Sequence, residues 1–394
     1  MSRASNRPER RARWAAIFAM AGVLGLAAIT PTATMAAASA GVVTPTDQPS
    51  SSGWPAAGVL RTVHTAGRVE VADDRVLYSW PGVYFESRFR GTGIGVKLDD
   101  PSNDYDVQVD GTTVSTLVTP EPGTHWITGL APGAHRVRLV KRTESPWATS
   151  QFAGFVPAVN GAMLARPSAR SRQIEFIGDS YTAGYGNLSS TRDCTSEDVN
   201  RTTNADRSFG ALTAKDLNAD FQINGYSGRG MVRNYNGQDA GVDYRTFYDR
   251  ALLAVEGDRW PVDRSWRPQL VVVGLGINDF STAVNPVEVW TSDTLLAAYR
   301  TAYHAFIDKL RARYGPRAVI LVSATALSNT TQFADAARQI VQERHDQGDD
   351  RVRYWYYDTA GMDYGGCHWH PSVADHRLIA DRLEAVIATL PLRW

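Results

Sequence analysis

The sequence has no excess of charge of either sign, since its 394 residues include 41 Lys and Arg against 41 Asp and Glu. A chain without net charge has no overall field that attracts nucleic acid or an anionic membrane surface. The sequence also lacks an internal repeat, and beyond residue 40 it lacks any apolar segment of the ~20 residues that cross a bilayer. We therefore expect no nucleic-acid partner and no stable membrane association.

The first 40 residues have the composition of a secretory signal. Arginines at positions 3, 7, 10, 11 and 13 precede the apolar segment from Trp14 to Ile29, and Ala38-Ser39-Ala40 fits a cleavage site. A membrane anchor is the alternative, but 16 apolar residues are short for a span. We expect cleavage near Ala40 and a secreted protein, while the pair Arg10-Arg11 leaves the general and twin-arginine export routes both open.

The composition changes twice after this segment. Residues 41–53 are rich in Thr, Pro and Ser, which predicts a linker. Residues 54–167 contain short strand-like runs, such as Val83 to Phe89 and Tyr105 to Val109, separated by turn signals. Strands at this spacing predict an N-terminal β-sandwich of jelly-roll type.

Residues 168–394 instead alternate apolar strand candidates with helical segments. The predicted helices include Leu295–Tyr314 and Phe333–His345. This alternation predicts an α/β domain, with a parallel sheet that has helices on both faces. The strand candidates are Ile174–Ile177, Phe221–Asn224, Leu270–Leu275, Ala318–Val322 and Val352–Tyr357.

A candidate nucleophile follows the first of these strands, where Ile174 to Ile177 leads into Gly178-Asp179-Ser180. This order places the Ser180 hydroxyl at the end of a buried strand. A serine hydroxyl reacts only with an adjacent base and with donors that stabilise the oxyanion it creates. The alternative is that Asp179 and Ser180 are ordinary cap residues of the following turn.

Three later blocks could supply that base and those donors. Gly228, in Ser227-Gly228, could present its N–H to a substrate, and the Asn278 side chain could donate a hydrogen bond with the Ser180 N–H. His370 precedes Pro371, which disfavours helix there and leaves the imidazole on a loop, so it is our candidate base. The alternatives are a plain turn at Gly228 and a helix-capping role for Asn278.

The chain contains only two cysteines, Cys194 and Cys367. An even pair in an exported protein predicts a disulfide, which would join the loops of the candidate nucleophile and base. Two buried free thiols are the alternative. Cys367-His368-x-His370 could also suggest metal ligands, but no further Cys or carboxylate motif accompanies it, and we expect no metal.

These blocks together resemble those of the SGNH (Gly-Asp-Ser-Leu type) hydrolases, which implies a flavodoxin-like three-layer α/β/α domain. In that superfamily an Asp stands three residues before the base, and here Cys367 occupies that position. The third member of a triad is therefore either Asp363, the nearest upstream carboxylate, or a backbone carbonyl that orients His370 in a Ser–His dyad.

The resemblance is closer to carbohydrate esterase family 2, through Lys141-Arg142-Thr143-Glu144, Ser227-Gly228-Arg229-Gly230 and Asn278-Asp279-Phe280-Ser281 as well as the Ser180 block. It implies a secreted, monomeric serine esterase that needs no cofactor and removes O-acetyl groups from plant cell-wall polysaccharides such as xylan or glucomannan. The alternatives are an SGNH lipase or arylesterase, and a carbohydrate-binding protein with vestigial esterase blocks. For the latter, the candidate sugar-stacking residues are Trp80, Tyr84, Trp126 and Trp147.

Overall fold

The computed structural model describes residues 58–72, 74–261 and 265–394. The predicted signal segment 1–40 and linker 41–53 lie outside the described residues. Within the described ranges, no helix is both long enough and apolar enough to cross a membrane. The described residues belong to one compact unit, and the predicted boundary between residues 167 and 168 stays a prediction.

The first part of the chain forms an antiparallel sheet in the order β1-β2-β7-β3-β6-β4-β5, with β8 paired to β3. Its two longest strands, β3 and β6, each take part in two groups of paired strands, one with each half of the strand. The first half of β3 pairs with the second half of β6, which also pairs with β4. The second half of β3 lies between β6 and β7. The strands are β1 (Glu70–Val71), β2 (Val76–Tyr78), β3 (Tyr84–Asp99), β4 (Asp104–Val109), β5 (Thr112–Val118), β6 (Gly123–Lys141), β7 (Ser150–Pro157) and β8 (Ala162–Met163).

These two groups of strands face each other and enclose a core. Phe85 from the first half of β3 stacks on Phe152 from β7, with ring centroids 4.2 Å apart. The hydroxyl of Tyr78 on β2 donates to that of Tyr105 on β4 at 2.9 Å. The predicted sandwich is therefore confirmed, and its layers are joined by strands long enough to take part in both.

The second part is a five-stranded parallel sheet in the order β10-β9-β11-β12-β13. Counted along the chain this order is 2-1-3-4-5, the flavodoxin-like arrangement. The central strands β11 and β12 are mainly apolar on both faces, as is usual for parallel strands covered by helices. The strands are β9 (Arg172–Gly178), β10 (Ala219–Gly225), β11 (Leu270–Gly274), β12 (Val319–Thr325) and β13 (Val352–Tyr357).

Helices cover the two faces of this sheet separately. Val271 and Val273 share a core with residues of α5 and α6, whereas Leu270 and Val272 share one with residues of α3 and α7. The alternation along one strand confirms the predicted three-layer α/β/α domain. The helices are α1 (Ser180–Ala183), α2 (Ser196–Thr202), α3 (Phe209–Asp216), α4 (Ile277–Phe280), α5 (Ser292–Tyr314), α6 (Gln332–Asp346) and α7 (Val373–Ile387).

Buried polar contacts join the sandwich to the α/β part. The Arg68 guanidinium is fully buried and pairs with Glu175 of β9 at 2.6 Å. Arg138 of β6 pairs with Asp206 at 2.8 Å, and Arg170 bridges Glu86 of β3 to Asp220 of β10. Because charges withdrawn from water must be paired, these contacts fix how the two parts meet.

Candidate active site

Ser180 lies at the carboxyl end of β9, where α1 begins. Asp179 is the N-cap of α1, and its carboxylate accepts a hydrogen bond from the Tyr181 N–H at 3.1 Å. The capping role therefore falls to Asp179, while Ser180 is the first helical residue and its hydroxyl is left for another partner. Asp179 is buried, and burial raises its pKa to about 7.

That partner is His370, whose Nε2 lies 2.8 Å from Ser180 Oγ. On the other side of the ring, Nδ1 lies 2.9 Å from the carbonyl oxygen of Cys367 and 3.3 Å from that of His368. Carbonyl oxygens only accept, so Nδ1 carries the hydrogen and donates it. Nε2 is then the unprotonated nitrogen, which can accept the proton of the serine.

The surroundings of His370 keep its imidazole neutral. Burial lowers its pKa to about 4, and the two carbonyl oxygens at Nδ1 only partly oppose that shift. The Tyr185 ring packs against the imidazole, with centroids 4.4 Å apart. At neutral pH the ring is therefore in the form that a general base requires.

The structure does not bring the Asp363 carboxylate to His370. The Asp363 carboxylate instead accepts the Gly365 N–H at 2.8 Å, and the Asp363 N–H donates to Asp375. Among the described residues, the oxygens hydrogen-bonded to His370 Nδ1 are the backbone carbonyls of Cys367 and His368.

The candidate oxyanion donors meet around the end of β9. Gly228 lies in a turn after β10, the strand paired with β9. The N–H groups of Ser180 and Gly228 make no hydrogen bond within the described part of the chain. Asn278 Nδ2 donates to the Arg229 carbonyl at 2.9 Å and, at the long distance of 3.4 Å, to Asp179. The weaker contact leaves one amide hydrogen that a developing oxyanion can capture.

The segment before His370 is held by the predicted disulfide between Cys194 and Cys367, which the structure contains. The Cys367 N–H also donates to the Gly186 carbonyl at 3.2 Å. His368 and Trp369 have φ of +51° and +62°, a conformation that L-residues adopt only when their surroundings impose it. The bridge and the Gly186 contact thus hold the Cys367 carbonyl, to which His370 Nδ1 donates.

His368 supports the same segment. Its Nδ1 lies 3.0 Å from the Tyr185 hydroxyl and its Nε2 lies 2.9 Å from the Cys194 carbonyl oxygen. Both ring nitrogens therefore have protein partners, and the thiol of Cys367 is consumed in the bridge. Within the described ranges, no group of three or more His, Cys, Asp or Glu residues is placed to hold a metal ion.

Two contributors to the site were not predicted from the sequence. Arg192 donates to the carbonyls of Asp363 and Tyr364, and its guanidinium lies 4.0 Å from the centroid of the Trp369 ring, which is 66% exposed. Glu144, quoted above only as part of a family motif, binds Ser227 next to Gly228. No local pattern signals either contact, since the partners are distant in sequence.

The four candidate sugar-stacking residues divide into a buried pair and an exposed pair. Trp80 and Tyr84 are buried in the core, whereas Trp126 and Trp147 are 51% and 73% exposed. Stacking on a sugar is therefore open to Trp126 and Trp147 alone among the four candidates.

Comparisons with known proteins cover both parts of the chain. Residues 65–167 match the family model for the carbohydrate esterase 2 N-terminal region, and residues 174–383 match that for GDSL-like lipase/acylhydrolase. An acetylxylan esterase / glucomannan deacetylase of Cellvibrio japonicus is 40% identical over 327 residues, covering 82% of this chain and 89% of the relative. Cellulase/esterase CelE of Acetivibrio thermocellus is 33% identical over 319 residues, covering 78% of this chain and 37% of the relative.

Solved structures show the same similarity. A carbohydrate esterase whose active site is reported to have divergent catalytic and non-catalytic binding functions aligns with a TM-score of 0.77 and 38% identity, covering 84% of this chain and 98% of that one. A family two carbohydrate esterase from Clostridium thermocellum, in complex with cellohexaose, aligns with a TM-score of 0.73 and 32% identity, covering 83% and 98%.

Proposed function

Since the chain belongs to carbohydrate esterase family 2 and is a carboxylic ester hydrolase, we propose that it removes O-acetyl groups from plant cell-wall polysaccharide through an acetyl-enzyme on Ser180. The observation that carries this proposal is the 2.8 Å contact between Ser180 Oγ and His370 Nε2. The other ring nitrogen, Nδ1, donates to backbone carbonyls and so leaves Nε2 free to accept the serine proton. Xylan and glucomannan are the candidate substrates, because the Cellvibrio japonicus relative is named for both.

The first half of the reaction acetylates the enzyme. His370 Nε2 takes the proton of Ser180 as Oγ attacks the acetyl carbonyl carbon. The N–H groups of Ser180 and Gly228 and the Asn278 amide stabilise the negative charge that forms on the carbonyl oxygen. The imidazolium then gives its proton to the sugar oxygen as the bond from carbon to that oxygen breaks.

The second half repeats these roles with water. His370 takes a proton from the water, which attacks the acetyl-serine, and returns it to Ser180 as acetate leaves. The Cys367 carbonyl replaces the usual carboxylate as the group that fixes the ring and its tautomer. A carbonyl carries no full charge, so it stabilises the imidazolium less than an aspartate would.

We also propose that the mature chain begins after Ala40 and acts outside the cell as a monomer, with residues 54–167 and 168–394 as its two domains. A disulfide between the chain's only two cysteines supports an oxidising compartment. The N-terminal sequence and the native mass of the protein recovered from the culture medium test this part.

The decisive variant is Ser180→Ala, assayed by NMR on acetylated xylan and glucomannan and by the absorbance of the 4-nitrophenolate released from 4-nitrophenyl acetate. Loss of a serine nucleophile lowers kcat by up to ~10⁶-fold, so acetate release should disappear. A variant that keeps most of its activity would refute the assignment. A preference for octanoyl over acetyl esters would instead indicate a lipase, and retained polysaccharide binding without acetate release by the wild-type chain would indicate a binding protein.

A further inference from the structure

Glu144 belongs to the sandwich part of the chain but contacts the α/β part. It follows the end of β6 by three residues, in the quoted motif Lys141-Arg142-Thr143-Glu144. Its Oε1 accepts the Ser227 N–H at 2.7 Å, and its Oε2 accepts the Ser227 hydroxyl at 2.5 Å. Both oxygens of the Glu144 carboxylate thus bind Ser227, which lies in the loop after β10 of the parallel sheet.

Ser227 precedes Gly228 in a tight turn. The Arg229 N–H donates to the Tyr226 carbonyl at 3.3 Å and closes the turn, while the Tyr226 N–H donates to Gly178 at 3.0 Å, beside the Ser180 block. Gly228 has a φ of +77°, and apart from its own residue and its two neighbours in the chain no atom lies within 4 Å of where its Cβ would be. Since glycine permits many conformations, the direction of its N–H depends on what holds the residue before it.

The segment that carries Glu144 is itself anchored. The Arg142 carbonyl accepts the Ala205 N–H at 2.9 Å, and the Arg142 side chain donates to the Arg201 carbonyl at 3.2 Å. The Thr143 hydroxyl donates to Asn103 at 2.9 Å. Glu144 therefore projects from a fixed backbone, so its carboxylate can determine the position of Ser227.

The charge of Glu144 also acts on two residues near Ser180 and His370. Its carboxylate contributes to the raised pKa values of Asp179 and Tyr185, although burial is the main cause for both. Burial also raises the pKa of Glu144 itself, and the hydrogen bonds from Ser227 oppose that rise. Both oxygens of the Glu144 carboxylate are engaged by Ser227.

We propose that Glu144 is a positioning residue of the sandwich domain, which holds Ser227 so that the Gly228 N–H faces the oxyanion formed on the substrate of Ser180. This inference rests on the proposed function. It gives the N-terminal domain a part in catalysis that does not require it to touch the substrate.

The test compares Glu144→Ala with Glu144→Gln on 4-nitrophenyl acetate. Removal of an oxyanion donor costs ~10²–10³ in kcat, so a misplaced Gly228 in Glu144→Ala should cost about 10- to 100-fold, with KM changed by less than about 2-fold. Gln can accept the Ser227 N–H and donate to the Ser227 hydroxyl, so Glu144→Gln should restore kcat to within about 3-fold of wild type. A Gln variant as impaired as the Ala variant would overturn the proposal, because it would mean that the charge itself acts.

Glu86→Ala is the matched control, since Glu86 is a sandwich carboxylate paired with Arg170 away from the Ser227 turn. It should lower the free energy of unfolding but leave kcat within about 2-fold of wild type. An equal loss of kcat in Glu86→Ala would show that a loosened domain interface is the cause and would overturn the proposal.

Two further variants complete the test. Adding Ser227→Ala to Glu144→Ala should lower kcat no further, because both changes break the same contact, whereas additive losses would overturn the proposal. Ser180→Ala in the same assay separates the two hypotheses. If it is inactive while Glu144→Ala has wild-type kcat, the positioning role fails and the esterase assignment stands; if Ser180→Ala is active, the proposed function itself fails.

Discussion

Ser180 and His370 lie 2.8 Å apart, but the chain brings them to that position by different means. Ser180 is placed by its neighbours in sequence: a buried strand ends at Gly178, and Asp179 caps the helix that follows. His370 is placed by residues far away in the chain, through the bridge from Cys367 to Cys194 and the contact of Cys367 with Gly186. The proposed base therefore depends on long-range contacts that the proposed nucleophile does not need.

The largest expected effect comes from removing the bridge. It closes a loop of 173 residues, and the chain-entropy model gives a loss of about 5 kcal/mol in the free energy of unfolding for such a loop. In Cys194→Ser/Cys367→Ser, kcat should fall by at least about 10-fold, since the carbonyl that orients His370 is no longer anchored; loss of the orienting Asp in a serine protease costs ~10⁴-fold. Denaturant unfolding and assays at low temperature measure the two effects.

Circular dichroism of the same variant identifies the folded population at the assay temperature. A folded variant with unchanged kcat would show that the histidine segment holds its place without the bridge. Because the chain has only these two cysteines, reduction of the wild-type protein should reproduce the result.

The next largest effect is expected at the contact between Gly186, after the Ser180 block, and Cys367, before His370. A Cβ on Gly186 would lie 2.4 Å from Cys367 Cβ, at a φ of +57°. Gly186→Ala should therefore lose about 2–4 kcal/mol of stability, from overpacking and backbone strain together, and lower kcat by displacing Cys367. Thermal unfolding and kcat for 4-nitrophenyl acetate measure these losses.

Gly348→Ala is the control, because Gly348 has a φ of +87° but, apart from its own residue and its two neighbours in the chain, no atom lies within 4 Å of where its Cβ would be. It should cost only the strain, about 1–2 kcal/mol, and leave kcat unchanged. Equal effects of the two substitutions would mean that the Gly186–Cys367 contact has no special role.

The pH dependence tests the environment of the base. His370 must be neutral to accept the serine proton, and burial lowers its pKa to about 4 from the ordinary 6.5. The value of kcat/KM should therefore stay level as the pH falls to about 5, reach half its maximum near pH 4 and then decrease tenfold per pH unit, as the imidazole becomes protonated. Circular dichroism at each pH separates titration from unfolding. Asp179, with its pKa raised to about 7, is the other group that could titrate in this range. An acidic limb at pH 6.5 or above that persists in Asp179→Asn would contradict a base oriented by carbonyls alone.

The smallest effect is expected at Asp363. Its carboxylate accepts the Gly365 N–H and is hydrogen-bonded away from His370, so Asp363→Asn should change kcat by less than about 2-fold. Steady-state kinetics on an acetyl ester measures it. A loss of more than about 10-fold would mean that the carboxylate orients the base during turnover, and that the enzyme uses a triad.

Much of the architecture could be predicted because it depends on local patterns. The change from short alternating strands to buried strands and helices predicted the sandwich and the three-layer domain, and both are confirmed. The last helix, α7, begins with a capping box formed by Ser372 and Asp375, a signal that needs only four consecutive residues. Such features depend on neighbouring residues, whose preferences are written in the sequence itself.

The sequence by itself determined the family, the two sheets and the candidates Ser180, Gly228, Asn278 and His370. Only the tertiary structure decided which group faces His370 Nδ1, since a carbonyl oxygen is present at every residue and carries no sequence signal. It also decided that Glu144 reaches across 83 residues of chain to Ser227. Contacts of this kind depend on how two separately patterned sheets pack together, and no local preference of the backbone specifies that.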